Sequence, residues 1–306
     1  MAETLLCGRK LHYNHGVRKT LRRIRKGITG LAVLCAVGGM CRAQQAPPAS
    51  GARILLLPRK VVTGERATLA VLDVNGRLTP GVTVDFSNGD KVTTDTTGRA
   101  LFVAPLNPGV ILASLEGRPG RVTCVILSPA EVPSGSQEVI LAPRVATVSD
   151  RFEISGHGFC GNADENKVSI GRVPGLVLAA SPAYLAVLPP ADMDPGPARV
   201  DVSCGTRKAT AFTVVFVSLE LNVSGAPLAP GEHRELTVRV HGSTAKINLE
   251  ARNLAPVVAD LQGGTTVRAA SSGGADNVAR FAVLGKQRGS FLISIRLLAP
   301  LVAPGP

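Results

Sequence analysis

The run Ile154-Ser155-Gly156-His157-Gly158-Phe159 opens the part of this chain that decides its fold. Three further runs of short strands and turn residues follow it, namely Val168-Ser169-Ile170-Gly171, Leu185-Ala186-Val187-Leu188-Pro189-Pro190 and Gly196-Pro197-Ala198-Arg199-Val200-Asp201-Val202. Short strands at this spacing, separated by glycine and proline, are typical of a small β-sandwich. The pattern therefore predicts what the protein is built from and says little about what it binds.

These runs also carry a resemblance to a known family. Residues 138–217 resemble the immunoglobulin-like IPT/TIG module, and their glycines match the pattern of that family. The resemblance implies a β-sandwich located at a surface, in contact with a protein or a polymer. Within it, Phe152, Phe159 and Phe212 are expected to be core residues.

The N-terminal segment has the pattern of an export signal. Eight basic residues within residues 1–26 precede an apolar run of 15 residues, Gly27 to Cys41, and small residues stand at Cys41 and Ala43. This order is typical of a secretory signal cleaved before Gln44. An uncleaved membrane anchor is the alternative, but the run is shorter than the roughly 20 residues that span a bilayer. The sequence predicts an exported protein, periplasmic, at the cell surface or secreted, with no stable membrane insertion.

Removing this segment changes how the charge of the protein is interpreted. The chain has 34 Lys and Arg against 22 Asp and Glu, a net charge of +12. Residues 1–43 hold nine of those bases and one acid, which leaves 25 bases against 21 acids, or +4. A strongly basic protein would indicate nucleic acid or an anionic surface as partner. Because the excess belongs mostly to the signal, we predict no nucleic-acid partner.

The remaining sequence predicts an all-β chain of tandem immunoglobulin-like β-sandwiches. Each sandwich is predicted from about seven short apolar runs between turn signals. The predicted organisation is signal 1–43, tether 44–53, first sandwich 54–127, linker 128–137, IPT/TIG-like sandwich 138–217, third sandwich 218–298 and a tail, 299–306, that ends free.

The first sandwich resembles bacterial immunoglobulin-like and carboxypeptidase-regulatory-like domains, through residues 69–86 and 94–102. Asn75-Gly76 and Thr97-Gly98 supply the positive φ that tight turns need. Asp73, Asn75 and Asp95 would suit calcium, but hairpin turns use the same residues for backbone reasons, which is the interpretation we favour. No family is recognised for the third sandwich.

Cysteine positions predict one disulfide in the exported protein. Cys160 and Cys204 fall in loops that a sandwich of this type brings to the same end. A bond between them would enclose 43 residues and add about 4 kcal/mol of stability. Cys124 is then left over in an apolar strand. Burial as a small hydrophobe is favoured for it, and an intermolecular bridge is the alternative.

The sequence offers no recognisable catalytic motif, so we predict a protein that is not an enzyme and holds no cofactor or metal. His157, His233 and His241 stand in unrelated local contexts, and hydrolase and zinc spacings do not occur. A hydrolase with a scattered site would need a pocket that joins His157 or His241 to a carboxylate. The acidic loop 161–167 beside His157 would suit a cation, although a solvated loop is the favoured interpretation.

Aromatic content bears on the kind of partner. The chain has no Trp, and Tyr184 is the one tyrosine that follows the signal. Sugar-binding faces usually stack glycans on exposed Trp or Tyr, so carbohydrate recognition is disfavoured. We predict an extracytoplasmic interaction or scaffold protein that contacts a protein or polymer of the envelope or surface. The alternative is a carbohydrate-binding accessory module of polysaccharide breakdown, which an exposed Tyr184 would support.

Overall fold

The computed structural model describes residues 4–5, 53–132, 137–207, 209–222 and 227–304. The described chain is all-β, built of immunoglobulin-like β-sandwiches, with only short 3-10 turns at Pro129–Glu131 and Ala163–Glu165 besides strands. None of the described residues forms a helix that would reach across a membrane. Apart from Thr4 and Leu5, which form strand β1, the predicted signal lies outside the described residues.

The first sandwich follows from alternating apolar residues on its strands. Its strands are β2 (Arg53–Leu56), β3 (Lys60–Val62), β4 (Arg66–Asp73), β5 (Thr83–Phe86), β6 (Lys91–Thr93), β7 (Arg99–Val103), β8 (Gly109–Leu115) and β9 (Val122–Leu127). The sheet β2-β4-β7 packs on the sheet β3-β9-β8-β5-β6. Val84 and Phe86 of β5 point into the core between the sheets, since side chains two apart share a face.

Cys124 lies in the same core and is a free, fully buried thiol. Burial raises the pKa of this thiol to about 12, because a thiolate would lose its hydration there. The residue therefore packs as a hydrophobe, which is the role that the sequence favours.

The second sandwich contains β10 (Glu138–Pro143), β11 (Val145–Thr147), β12 (Phe152–His157), β13 (Asn166–Ile170), β14 (Val173–Ser181), β15 (Tyr184–Leu188), β16 (Gly196–Cys204) and β17 (Thr210–Asn222). Strand β14 pairs with β13 near its start and with β15 towards its end, so it takes part in both sheets. Phe152, Phe159 and Phe212 lie in the core between the sheets, as expected.

The third sandwich shares a strand with the second. Its other strands are β18 (His233–His241), β19 (Asn248–Asn253), β20 (Ala259–Leu261), β21 (Thr266–Ala270), β22 (Val278–Gly285) and β23 (Ile293–Leu297). Strand β17 pairs with β16 through Phe216 and with β18 from Ser218 onward. Phe216 packs in the second core and Val217 in the third, so the chain passes between these sandwiches without an intervening loop.

The tail after the third sandwich returns to the second. Strand β24 (Leu301–Val302) pairs antiparallel with Pro143 and Ala142 of β10. Residues 301–302 of the predicted tail therefore lie against the second sandwich.

Candidate interaction surface

The predicted cysteine pair lies at one end of the second sandwich. Cys204 ends β16 and faces Asn166 of β13, while Cys160 follows β12. The Cα atoms of Cys160 and Cys204 are 5.5 Å apart and their sulfurs are bonded in the structure. The buried Asn166 side chain accepts from the Cys160 amide at 2.9 Å and donates to the Cys160 carbonyl at 2.7 Å. The disulfide and Asn166 together fix where the following loop begins.

This loop, residues 161–166, is a contact between the first two sandwiches. Thr68 of β4 donates to the Gly161 carbonyl at 2.8 Å and accepts from the Ala163 amide at 3.0 Å. A Cβ atom on Gly161 would lie 1.9 Å from the Arg66 carbonyl oxygen, so only glycine permits this approach. Asp164 forms an ion pair with Arg99 of β7 at 2.7 Å.

The charged side chains of residues 161–167 remain exposed to solvent, namely Asp164, Glu165 and Lys167, and the Asp164 side chain is 69% exposed. The Asp164 carboxylate is engaged by an arginine of the neighbouring sandwich. Among the residues that the structure describes, no three His, Cys, Asp or Glu side chains come together as a metal site.

An apolar cluster extends the same contact. Residues from both sandwiches share it, and they are Leu56, Ala70 and Leu72 from the first and Leu178, Ala179, Tyr184 and Ala186 from the second. Strand β4 also pairs with β14, Thr68 opposite Ala180. The Ser181 hydroxyl donates to the Lys60 carbonyl at 2.5 Å. The first and second sandwiches are thus joined by a buried, hydrogen-bonded interface, which we call the first junction.

Tyr184 belongs to the first junction and leaves only 3% of its surface exposed. Burial, reinforced by the nearby Glu153 carboxylate, raises the pKa of its hydroxyl. Glu153 in turn forms an ion pair with Arg59, with nitrogen to oxygen distances of 2.7 and 3.0 Å. A sugar cannot stack on a ring that is covered in this way. The exposed Tyr184 that would support carbohydrate recognition is therefore not found.

The phenylalanine side chains are also covered. In the described part of the chain, Phe291 is half-buried and the remaining phenylalanines are buried, namely Phe86, Phe102, Phe152, Phe159, Phe212, Phe216 and Phe281. The described residues therefore present no exposed aromatic platform.

Two histidines contact carboxylates, and nothing in the sequence indicates either contact. His157 Nε2 lies 3.2 Å from Glu138 across the β10–β12 pair, and His241 Nε2 lies 2.8 Å from Glu220 across the β17–β18 pair. Cross-strand register produces both contacts, so no local motif announces them. Neither histidine lines the cleft of about 560 Å³ that contains Arg59, Arg268 and Arg296. His233, the third, is exposed at the start of β18.

The residues considered for calcium are turn residues. Asp73 accepts from the amides of Asn75 and Arg77 at 2.8 and 2.9 Å, and these bonds, Arg77 first, lower the pKa of its carboxyl. Asp95 accepts in the same way from Thr97. Gly76 and Gly98 follow with φ of 77° and 74°, which confirms the predicted tight turns.

A cleft of about 560 Å³ lies where all three sandwiches meet. The first contributes Arg59, the second contributes residues between Pro143 and Glu153, and the third contributes Arg268 and the segment 295–301. Its charged lining is four arginines, Arg59, Arg151, Arg268 and Arg296, against Asp150 and Glu153. We call this region the arginine cleft. Its walls favour an acidic group.

Beneath the cleft, a buried carboxylate holds two of these arginines in place. Arg268 donates to Glu250 at 3.0 Å from β21, and Arg296 donates to it from β23 through Nε at 2.8 Å. These bonds, Arg268 foremost, lower the pKa of Glu250 against the opposing effect of burial.

Protonation of Glu250 is expected to make the free energy of unfolding depend on pH. Because its folded pKa lies below its unfolded value, near 4.3, its stabilising contribution is complete above that value. The contribution is lost as pH falls through the folded pKa. Urea unfolding measured between pH 7 and pH 3 should show that the free energy of unfolding falls more steeply with decreasing pH in the wild type than in Glu250→Gln. The matched control is Glu235→Gln, whose exposed partner Arg280 lies 3.5 Å away. Equal acid slopes in wild type and Glu250→Gln would contradict this expectation.

No protein-family model matches the chain, and no curated protein is similar to it. Bacteroides ovatus mixed-linkage glucan utilization locus SGBP-B, solved with a mixed-linkage heptasaccharide, is 15% identical over 78% of this chain and 73% of its own, with TM-score 0.32. Surface layer protein SbsC, domains 1–6, is 15% identical over 81% of this chain and 40% of its own, with TM-score 0.20.

The tandem Ig repeats of Dlar are 13% identical over 55% of this chain and 98% of their own, with TM-score 0.21. At these values the likenesses carry no argument about function, and the fold class rests on the sheet topology of the chain itself. The IPT/TIG resemblance stays a prediction.

Proposed function

We propose that this chain is an exported, non-enzymatic protein that works outside the cytoplasm as an interaction or scaffold module. Its mature form begins at Gln44, carries the Cys160–Cys204 disulfide and contacts a protein of the envelope or surface. It needs no cofactor, takes no nucleic-acid partner and does not insert stably into a membrane.

The observation that carries this proposal is the way the sandwiches are joined. The first junction is buried and hydrogen-bonded, and β17 runs directly from the second sandwich into the third. Such connections suit a protein that holds surfaces at fixed positions, because domains that move freely usually meet through smaller and more polar contacts. The covered aromatic side chains disfavour a glycan partner, because sugars usually stack on exposed rings.

The test uses the protein as the producing cell exports it. Mass spectrometry of the purified protein should give an N-terminus at Gln44 and a Cys160–Cys204 peptide. The protein should then bind the organism's own envelope fraction, and protease treatment of that fraction should remove the binding while periodate treatment leaves it. Loss of binding after periodate treatment alone would overturn the proposal of a protein partner.

A further inference from the structure

Strand β23 lies between β19 and a strand from an unexpected part of the chain. On one side it pairs with β19, for example Ile295 with Ala251. On the other it pairs antiparallel with β1, Thr4 opposite Ile295 and Leu5 opposite Ser294. Because β1 belongs to the segment that the proposed processing removes, the mature protein would present β23 without a partner on that side.

An edge of this kind is a template for another polypeptide. Its unpaired amide and carbonyl groups favour an added strand, unless charges, proline or a bulge protect them. Strand β23 reads Ile293-Ser294-Ile295-Arg296-Leu297, with no proline and one charged residue. That residue, Arg296, is directed to the buried Glu250 carboxylate of the adjacent strand. The edge therefore lacks the usual protection.

The arginine cleft lies directly beside this edge. Ile295, Arg296 and Leu297 belong both to β23 and to the lining of the cleft. Four arginines stand against the two lining carboxylates and the buried Glu250, which leaves an excess of one positive charge, so a strand added at β23 would gain from acidic side chains. The segment that supplies β1 has the same character, since Glu3 precedes Thr4 and is the one acid of residues 1–43.

We propose that the β23 edge and the arginine cleft form a docking site for an extended, acidic segment of a partner protein. The segment adds antiparallel to β23 and directs its carboxylates to the cleft. This site deepens the proposed function and depends on it, because the edge becomes available when residues 1–43 leave.

The probe is a fluorescent peptide with the sequence of residues 1–8, Met-Ala-Glu-Thr-Leu-Leu-Cys-Gly, carrying Cys7→Ser. Anisotropy should show saturable binding to the exported protein that begins at Gln44. In an antiparallel ladder alternate residues exchange hydrogen bonds with the partner strand. N-methylation of the peptide at one of Thr4 and Leu5 should therefore weaken binding roughly tenfold, while N-methylation at the other leaves it nearly unchanged. Equal effects at both positions would overturn strand addition.

Charge is tested with two arginines of matched exposure. Arg59 lines the cleft with its side chain 62% exposed, and Arg280 lies on another sheet with its side chain 65% exposed; each pairs with one glutamate. Arg59→Gln should weaken peptide binding several-fold and Arg280→Gln should not. Replacing Glu3 of the peptide with glutamine should remove this difference. An equal loss in both protein variants would overturn the role of the cleft, and circular dichroism checks that each variant is folded.

Failure of this inference is distinct from failure of the proposed function. The docking site alone is overturned if the exported protein begins at Gln44 and binds the envelope fraction but does not bind the peptide. Mass spectrometry that finds residues 1–8 retained on the exported protein overturns both.

Discussion

Tyr184→Ala is expected to lower the free energy of unfolding by about 3–5 kcal/mol, the cost of removing a large buried aromatic side chain. The ring lies in the apolar cluster of the first junction between Leu56, Ala70 and Leu72 on one side and strands of the second sandwich on the other. Its loss leaves a cavity that neither sandwich can close alone. Urea unfolding followed by circular dichroism measures the change.

The matched control is Tyr184→Phe, which keeps the ring and removes the hydroxyl near the Glu153 carboxylate. That variant should lose only about 1 kcal/mol. Limited proteolysis should also cut Tyr184→Ala faster between the first two sandwiches, near residues 128–137. A cost below 1 kcal/mol for Tyr184→Ala would mean that the junction does not persist in solution.

Replacing both Cys160 and Cys204 with alanine is expected to cost about 4 kcal/mol, because the bond closes a loop of 43 residues. The loss should be felt at the first junction as well, since Gly161 and Ala163 follow Cys160 and bond to Thr68. Thermal unfolding with and without reductant measures it.

Cys124→Ala is the control for this prediction, because that residue is a free thiol buried away from the disulfide. Reductant should lower the stability of the wild type and of Cys124→Ala equally and leave the double variant unchanged. If reductant has no effect on the wild type, the exported protein does not form the bond.

Local features of this fold were within reach of the sequence. The turns at Gly76 and Gly98 follow from residues that tolerate positive φ, and Val84 and Phe86 follow from simple alternation. The cysteine pair follows from the position of two loops in one sandwich type. In each case the evidence lies within a few residues or within one sandwich.

The first junction was not predicted, because it joins residues such as Thr68 and Gly161 that are 93 positions apart. A signal for it was nevertheless present. Strand β4 carries apolar residues on both faces, Ala70 and Leu72 as well as Leu69 and Val71, and all are buried. A strand of an isolated sandwich has one solvated face, so apolar residues on both faces indicate a second covering layer.

The histidine contacts and the arginine cleft were beyond sequence reasoning for a different reason. His241 meets Glu220 only because β17 and β18 adopt one register, and Arg59, Arg268 and Arg296 meet only where three sandwiches converge. Composition and motif spacing do not tell which residues of two paired strands lie opposite each other, or which segments of separate sandwiches converge.

Strand β17 has a mechanical consequence. A force that pulls the second and third sandwiches apart acts along a single continuous strand whose two halves are clamped by β16 and β18. Such a load is shared by many hydrogen bonds strained together, rather than by one that opens at a time. The same strand also sets how the two sandwiches come apart: if the half of β17 paired with β16 detaches, the half paired with β18 keeps its own hydrogen bonds, but the third sandwich is no longer held at a fixed position relative to the second.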